Sequence, residues 1–383
     1  MSGHPRPALP ARRARPWATS LCQVVRLPAS VHWLLCLQNE QSGQGANGVT
    51  NSDYSRRRLL TGAAAVSAAA ILPRASIAAG DWRPTETVRI IVPAAAGGST
   101  DVMGRLLAAH LQPIWGQSAV VENRSGAGGT IGTAEVARAK GDGHTILIGN
   151  PGPNAIAFSI FKNLNYKADQ LQAVSNMIRI PNIVSAHPAT GIKSIAELIA
   201  YLKKNPDKLT YGSSGTGQSP HLTGAWFLQL TGLKMTHVPF RGAGPALQAA
   251  LAGDIQILFD NLYPSLPQVL DGKLNGLCVT TPDRSEAIPA LPTMREGAPE
   301  LAKFDVSSWF GVFLPKTAPT AVLDELNRQV KAMLERDDVR KNIAGMGATA
   351  DYGTPQQFSD FVAAETTKFA AIIEKEGLQM EVK

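Results

Sequence analysis

The residues best placed to do chemistry lie in four short runs rich in glycine, serine and threonine. Gly97-Gly98-Ser99-Thr100-Asp101 follows the β-branched run Val88–Val92, and Asn123 to Gly132 reads NRSGAGGTIG. Further on, Ser213 to His221 reads SSGTGQSPH, and Arg241-Gly242-Ala243 leads into Gly244-Pro245. Each run joins the end of a strand-like stretch to the start of a helix-like one. Glycine lets a backbone approach a ligand closely, and the first N–H groups of a helix are unpaired and lie at the positive end of its dipole. Several such loops facing one space suit a carboxylate or phosphate. Ser99 or Thr100 is expected to cap the first of these helices, Ser219 the third with Pro220 at its first position, and Pro245 is expected to open the fourth.

Catalytic readings of the same residues are weaker. A G-x-S-x-G frame centred on Ser214 has Thr216 where its last glycine belongs. No Walker sequence occurs, and Gly126-x-Gly128 runs into Ile131 instead of completing a dinucleotide fingerprint. The histidines form no H-E-x-x-H and no Cys/His group at ligand spacing, so neither metal nor cofactor is expected. His221, in the first turn of a helix, could donate to a bound anion or simply pack. Asp260 ends a strand-like run, Ile255–Phe259, where it could meet a ligand amine or hydroxyl or cap the next segment. Arg241 could pair with a carboxylate or lie on the surface.

The elements that must position these residues alternate in βαβ fashion. Strands are expected at Val88–Pro93, Ala119–Glu122, Thr145–Gly149, Leu209–Ser213, Thr236–Val238, Ile255–Phe259 and Leu274–Thr280. Helices are expected at Thr100–Trp115, Gly129–Ala139, Ser194–Asn205, Pro220–Thr231, Pro245–Ala252 and Pro264–Asp271. Two apolar runs broken by Pro181 separate the series, and a matching strand-like run, Phe304–Pro315, follows the second. The helices Pro319–Glu335 and Pro355–Glu376 have no strands of their own and should pack back on the first sheet. The pattern predicts two open, largely parallel sheets flanked by helices, joined by two crossover segments that act as a hinge. Lobe 1 would hold residues 80–185 and 306–383, and lobe 2 residues 186–305.

The formal net charge is +7, but nine Arg and two acids in residues 1–78 account for all of it. The remainder carries 37 − 9 = 28 basic and 30 − 2 = 28 acidic residues, which leaves no basic footprint for nucleic acid. Ser55-Arg56-Arg57-Arg58-Leu59-Leu60 opens an uncharged Ala-rich run ending at Leu72. With Ser76-Ile77-Ala78-Ala79 behind it, this reads as a twin-arginine export signal over residues 51–79, cleaved near Ala78-Ala79, and the destination as the periplasm. Residues 1–50 are Arg/Pro/Gly-rich without periodicity and are expected to be an artefactual or disordered extension, residues 1–48 arising from a misplaced start. Cys22 and Cys36 fall in that leader, so Cys278 is left alone and excludes an intrachain disulfide in the mature chain.

Taken in order, GGSTD, VVENRSGAGGTIG, DGHTILIG, YGSSGTGQSPHLTG, HVPFRGAGPAL and FDNL resemble the Bug-type extracytoplasmic receptors of tripartite tricarboxylate transporters. SSWFGVFLP and GTPQQFSDFV extend the likeness toward the C-terminal end. The resemblance implies a two-lobed periplasmic binding fold, type II-like, that closes on a small carboxylate. It places ligand contacts on Ala95, Gly97, Gly98, Ser99, Thr100 and Asp101 in the first loop, and on Asn123, Ala127 and Gly128 in the second. In the other lobe it places them on Ser214, Gly215, Thr216, Gly217, Gln218, His221, Arg241, Gly242 and Ala243, with Asp260 beyond. Family members usually carry an aromatic and a proline where this chain has Ala94 and Ala96, which implies a pocket that is roomier or differently shaped. The expected function is capture of a small di- or tricarboxylate, or a related acid, by a monomer and its delivery to membrane permease subunits, without enzymatic activity. Two alternatives are a secreted hydrolase using Ser214 and His221, and a receptor presenting its ligand to a signalling partner.

Overall fold

The computed structural model describes residues 82–375 and 377–379. The expected export signal, the leader cysteines and the end of the last helix at Glu376 lie outside them. The first sheet contains β1 (Val88–Val92), β2 (Ala119–Asn123), β3 (Thr145–Gly149), β9 (Ser307–Pro315), β4 (Leu171–Ala186) and the short β10 (Thr349–Ala350). The second contains β8 (Asn275–Val279), the far end of β4, β7 (Ile257–Asn261), β5 (Thr210–Ser213) and β6 (Thr236–Pro239). β1 pairs in parallel with β2 and β3, and β5 with β6 and β7, as the βαβ alternation requires.

The connection between the sheets differs from expectation. β4 is one strand of 16 residues that runs through both, and it pairs antiparallel with β9, β7 and β8. The two sheets are therefore one continuous surface rather than two separate ones. Pro181 does not interrupt the strand. It stands opposite Ser307, the first residue of β9, where the ladder with β9 ends and the loss of an N–H is tolerated. At this crossing a buried polar cluster ties both connections together. Asn182 donates through Nδ2 to Thr223 at 2.9 Å, Asn261 donates to Asn182 Oδ1 at 2.8 Å and to Ser308 at 2.6 Å, and Thr280 donates to the Val306 carbonyl at 2.5 Å.

The helices are α1 (Ser99–Trp115), α2 (Thr130–Ala137), α3 (Ala157–Ile160), α4 (Ile195–Lys204), α5 (Ser219–Thr231) and α6 (Ala243–Ala252). They continue with α7 (Leu262–Leu270), α8 (Thr320–Leu334), α9 (Asp337–Gly345) and α10 (Pro355–Lys375). α8 and α10 pack back on the first sheet, as expected. Phe358 and Phe369 of α10 join Trp309 and Phe313 of β9 in the core, and Trp309 and Phe358 meet edge to face at 5.6 Å. The sequence pattern missed α9, which Asp337 and Asp338 open with charge suited to a helix start. No helix among the described residues is long and apolar enough to cross a membrane.

Candidate ligand-binding site

All four glycine-rich loops end in helices whose starts have no side-chain cap: α1 after Gly98, α2 after Gly129, α5 after Gln218 and α6 after Gly242. The expected caps are corrected accordingly. Ser99 and Thr100 lie inside the first turn of α1, where Ser99 Oγ is buried and has no hydrogen-bond partner among the described residues. Ser219 is already helical, and its hydroxyl is drawn to Ser308 in the polar cluster at the crossing. α6 begins two residues before Pro245.

A cavity of ≈ 520 Å³ opens between the lobes. Of the candidate residues it brings together Ala127, Gly128, Ser214, Gly215, Thr216 and Arg241. Pro93, Gly126, Gly129, Phe161, His237, Pro239 and Phe240 complete its wall. The Arg241 side chain is exposed, and no described residue accepts a hydrogen bond from its guanidinium. His237, Pro239 and Arg241 stand two apart where β6 ends, so strand alternation could have pointed to the first two from the third. Phe161 had no such signal, because it follows a π-turn at Gly152–Ile156 and the short α3.

The lobes touch around this cavity. The Ala95 N–H donates to the Arg241 carbonyl at 2.9 Å, and Gln218 Nε2 donates to the Gly128 carbonyl at 2.7 Å. The closeness depends on missing side chains. A Cβ on Gly128 would lie 2.0 Å from the Thr216 carbonyl oxygen, and one on Gly242 would lie 2.9 Å from the Ala95 nitrogen. Both glycines also have positive φ, 63° and 152°. A Cβ on Gly98 would approach Ala243 Cβ to 3.1 Å, so Gly98 and Ala243 are contact points between the loops.

Asp101 and Asn123 brace the first loop. Asp101 is buried and accepts from the Gly97 N–H at 3.1 Å, from Arg105 at 3.0 Å and from Asn123 at 3.0 Å. Asn123 also donates to the Ala94 carbonyl at 3.0 Å. Burial alone would raise the Asp101 pKa, but the donors from Arg105, Gly97 and Asn123 outweigh it and hold the carboxyl below its usual range.

In the second lobe, three main-chain donors are spent within the loop. The Gly215 N–H donates to Ser213 Oγ at 3.3 Å, that of Gly217 to His221 Nδ1 at 3.2 Å, and that of Gln218 to the Gly215 carbonyl at 3.1 Å. His221 is buried behind the wall, and its ring lies 4.4 Å from that of His237. Burial pushes the His221 pKa down to about 4; for His237, burial and then the neighbouring His221 push it down to about 3. Ser213, rather than Ser214, is the serine that meets a histidine, with Oγ 2.8 Å from His237 Nε2. Ser213 is fully buried, and no hydrogen bond among the described residues joins Ser214 to His221. Asp260 lies inside β7, not at its end, because the strand runs to Asn261. It does not line the cavity: its carboxyl accepts from Ser265 at 2.9 Å and from the Asn261 N–H at 2.8 Å. Among the described residues no group of three His, Cys, Asp or Glu could hold a metal.

Residues 103–378 match the sequence profile of the tripartite tricarboxylate transporter family receptor. The chain belongs to that family. Protein BugT of Bordetella pertussis is 34% identical over 304 residues, 79% of this chain and 92% of the relative. Among solved structures, an R. palustris protein with adipate is 34% identical with a TM-score of 0.74, covering 78% of this chain and 99% of that one. MatC from Rhodopseudomonas palustris with bound malate is 30% identical with a TM-score of 0.72, over 76% and 99%. The periplasmic binding protein BugD is 32% identical with a TM-score of 0.74, over 78% and 99%. The fold expected of the receptor family, α/β and two-lobed, is thus the fold found.

Proposed function

We propose that this receptor captures a small carboxylate in the cleft between its lobes and delivers it to the permease subunits of a tripartite tricarboxylate transporter. The observation that carries the reading is the cavity itself, bounded by both lobes and holding the unpartnered guanidinium of Arg241 beside glycine-rich main chain. Gly97, Gly98 and Ser99 at the uncapped start of α1 do not line this cavity, so Arg241 with the main chain of Ala127–Gly129 and Ser214–Thr216 carries the anion reading. Adipate and malate in two related structures point to the same ligand class. Residues 80–185 with 306–383, and 186–305, then act as lobes that close about the crossing near Ile183 and Val306. The receptor works as a monomer in the periplasm, after twin-arginine export and cleavage near Ala78-Ala79.

Thermal-shift measurements with adipate, malate and other small acids test the reading. Saturable stabilisation with the acid recovered unchanged is expected. The absence of a shift with every carboxylate would defeat it, and conversion of the acid would favour a hydrolase. Replacing Arg56 and Arg57 with Lys should retain the precursor in the cytoplasm, and an unchanged periplasmic yield would exclude the twin-arginine route.

A further inference from the structure

We infer that the cleft selects a carboxylate with one negative charge and a flat apolar body, an aryl monocarboxylate, over di- and tricarboxylates. This rests on the cleft being a carboxylate site and narrows what that site takes. Three features of the wall carry it.

The first is its surface. Pro93, Phe161, Pro239 and Phe240 line the cavity. The Phe161 ring is held against the third loop, since a Cβ on Gly217 would lie 2.9 Å from its Cζ. Flat apolar walls of this kind favour a ring over a polar chain.

The second is charge. Arg241 has the one formal charge among the described residues that line the cavity, and no Asp or Glu is there to receive an ammonium group. His237, the other titratable group on the wall, is flanked by the His221 ring at 4.4 Å and the Tyr211 ring at 4.7 Å, with Ser213 on Nε2. None of those three neighbours is charged at neutral pH, and burial keeps both imidazoles unprotonated. A second carboxylate pressed against this wall would lose water without gaining a cation.

The third is the main chain. Helix starts often hold anions, yet the second-lobe loop has already committed the N–H groups of Gly215, Gly217 and Gln218 to partners within itself. Arg241 can meet one carboxylate on this wall, and those three committed N–H groups are not available to a second.

Isothermal titration calorimetry at pH 7 with benzoate, adipate, malate and citrate tests the inference. Benzoate is expected to bind at least about tenfold more tightly than the other three. Phe240→Leu and Phe161→Leu, each checked for folding by circular dichroism, are expected to weaken benzoate about tenfold and adipate less than about twofold. Having two variants keeps the test intact if one fails to fold. Adipate, malate or citrate binding as tightly as benzoate would overturn the inference and leave the carboxylate reading standing. Equal losses for benzoate and adipate in the folded variants would also overturn it. Failure of all four acids to bind would remove both.

Discussion

On the first-lobe side of the cleft a buried aspartate is kept charged, and on the second-lobe side a buried aspartate is pushed toward neutrality. Asp101 receives Arg105, Asn123 and a main-chain N–H, and its pKa falls below the usual range. Asp260 receives only Ser265 and one N–H; burial dominates and raises its pKa to about 7. The histidines near the second-lobe loop follow the same rule and stay uncharged. Charge in the first lobe thus braces a loop, while the second lobe presents a largely neutral wall on which Arg241 stands out. The two walls have different tasks: one holds a helix start in place, the other shapes the body of the space.

The largest effect should come from preventing the walls from meeting. In Gly128→Ala the added Cβ would fall 2.0 Å from the Thr216 carbonyl oxygen, and the residue would also need a left-handed backbone. Ligand affinity should drop by about 100-fold or more, some 3 kcal/mol, and the left-handed backbone should cost the unliganded protein a further ~1–2 kcal/mol of stability. Small-angle scattering should find that saturating acid no longer reduces the radius of gyration. A variant that still contracts and still binds would mean that closure does not pass through this contact.

Removing the exposed cation is the next test. Arg241→Gln should weaken a bound carboxylate by about 1.5–3 kcal/mol, or roughly tenfold to a hundredfold, as for a charge-assisted hydrogen bond. The salt dependence of binding should flatten with it. If the variant titrates like the parent, the anion is held by the first lobe alone.

Asp101→Ala attacks the brace rather than the ligand. Gly97, Asn123 and Arg105 would each lose the buried carboxylate they donate to, so a stability loss of about 2 kcal/mol is expected, with weaker binding in step. Because the folded pKa is lowered, the stabilisation from Asp101 is present above its unfolded pKa of about 4 and is lost as pH falls below it. Urea melts should therefore differ most between parent and variant near neutral pH and converge in acid. A constant gap would assign the loss to packing.

Much of this arrangement was legible from residue types, and the exceptions have physical causes. The strands β1, β3 and β5 and the helices α1, α4 and α5 lie within a residue of their expected bounds, because apolar period and glycine or proline boundaries agree there. β7 was displaced because Asp260 and Asn261 look like the polar end of a strand. Inside the protein their side chains are satisfied by Ser265, Asn182 and Ser308, partners far away in sequence for Asn261. The continuity of β4 through Pro181 depended on where a partner strand ends, which a local pattern does not contain. At the site, the glycine loops were readable because they are local; eight of their residues line the cavity, six of them named candidates, though none comes from Gly97–Asp101. Phe161 was not, since an irregular turn brings it there from outside every loop motif. His237 and Pro239 were within reach through the alternation of β6.

The gentlest way to sharpen the contrast between the walls is Asp260→Asn. Burial raises the Asp260 pKa, so this group favours folding below its unfolded pKa of about 4, and that contribution is lost as pH rises through about 7. An amide carries no charge to bury, so the variant should gain on the parent between those limits and keep a constant lead above them. The oxygen can still accept the Asn261 N–H, but the new NH₂ must face Ser265, whose hydroxyl has to turn and accept. That rearrangement offsets part of the gain, which leaves roughly 1 kcal/mol at pH 8. Ligand affinity should stay unchanged, because Asp260 lies behind the cavity and not on its wall. Melting temperatures of parent and variant across pH 4 to 9 read the effect directly. A lead that shrinks with rising pH would mean that Asp260 is stabilised as a carboxylate, and the second lobe would then hold charge as the first one does.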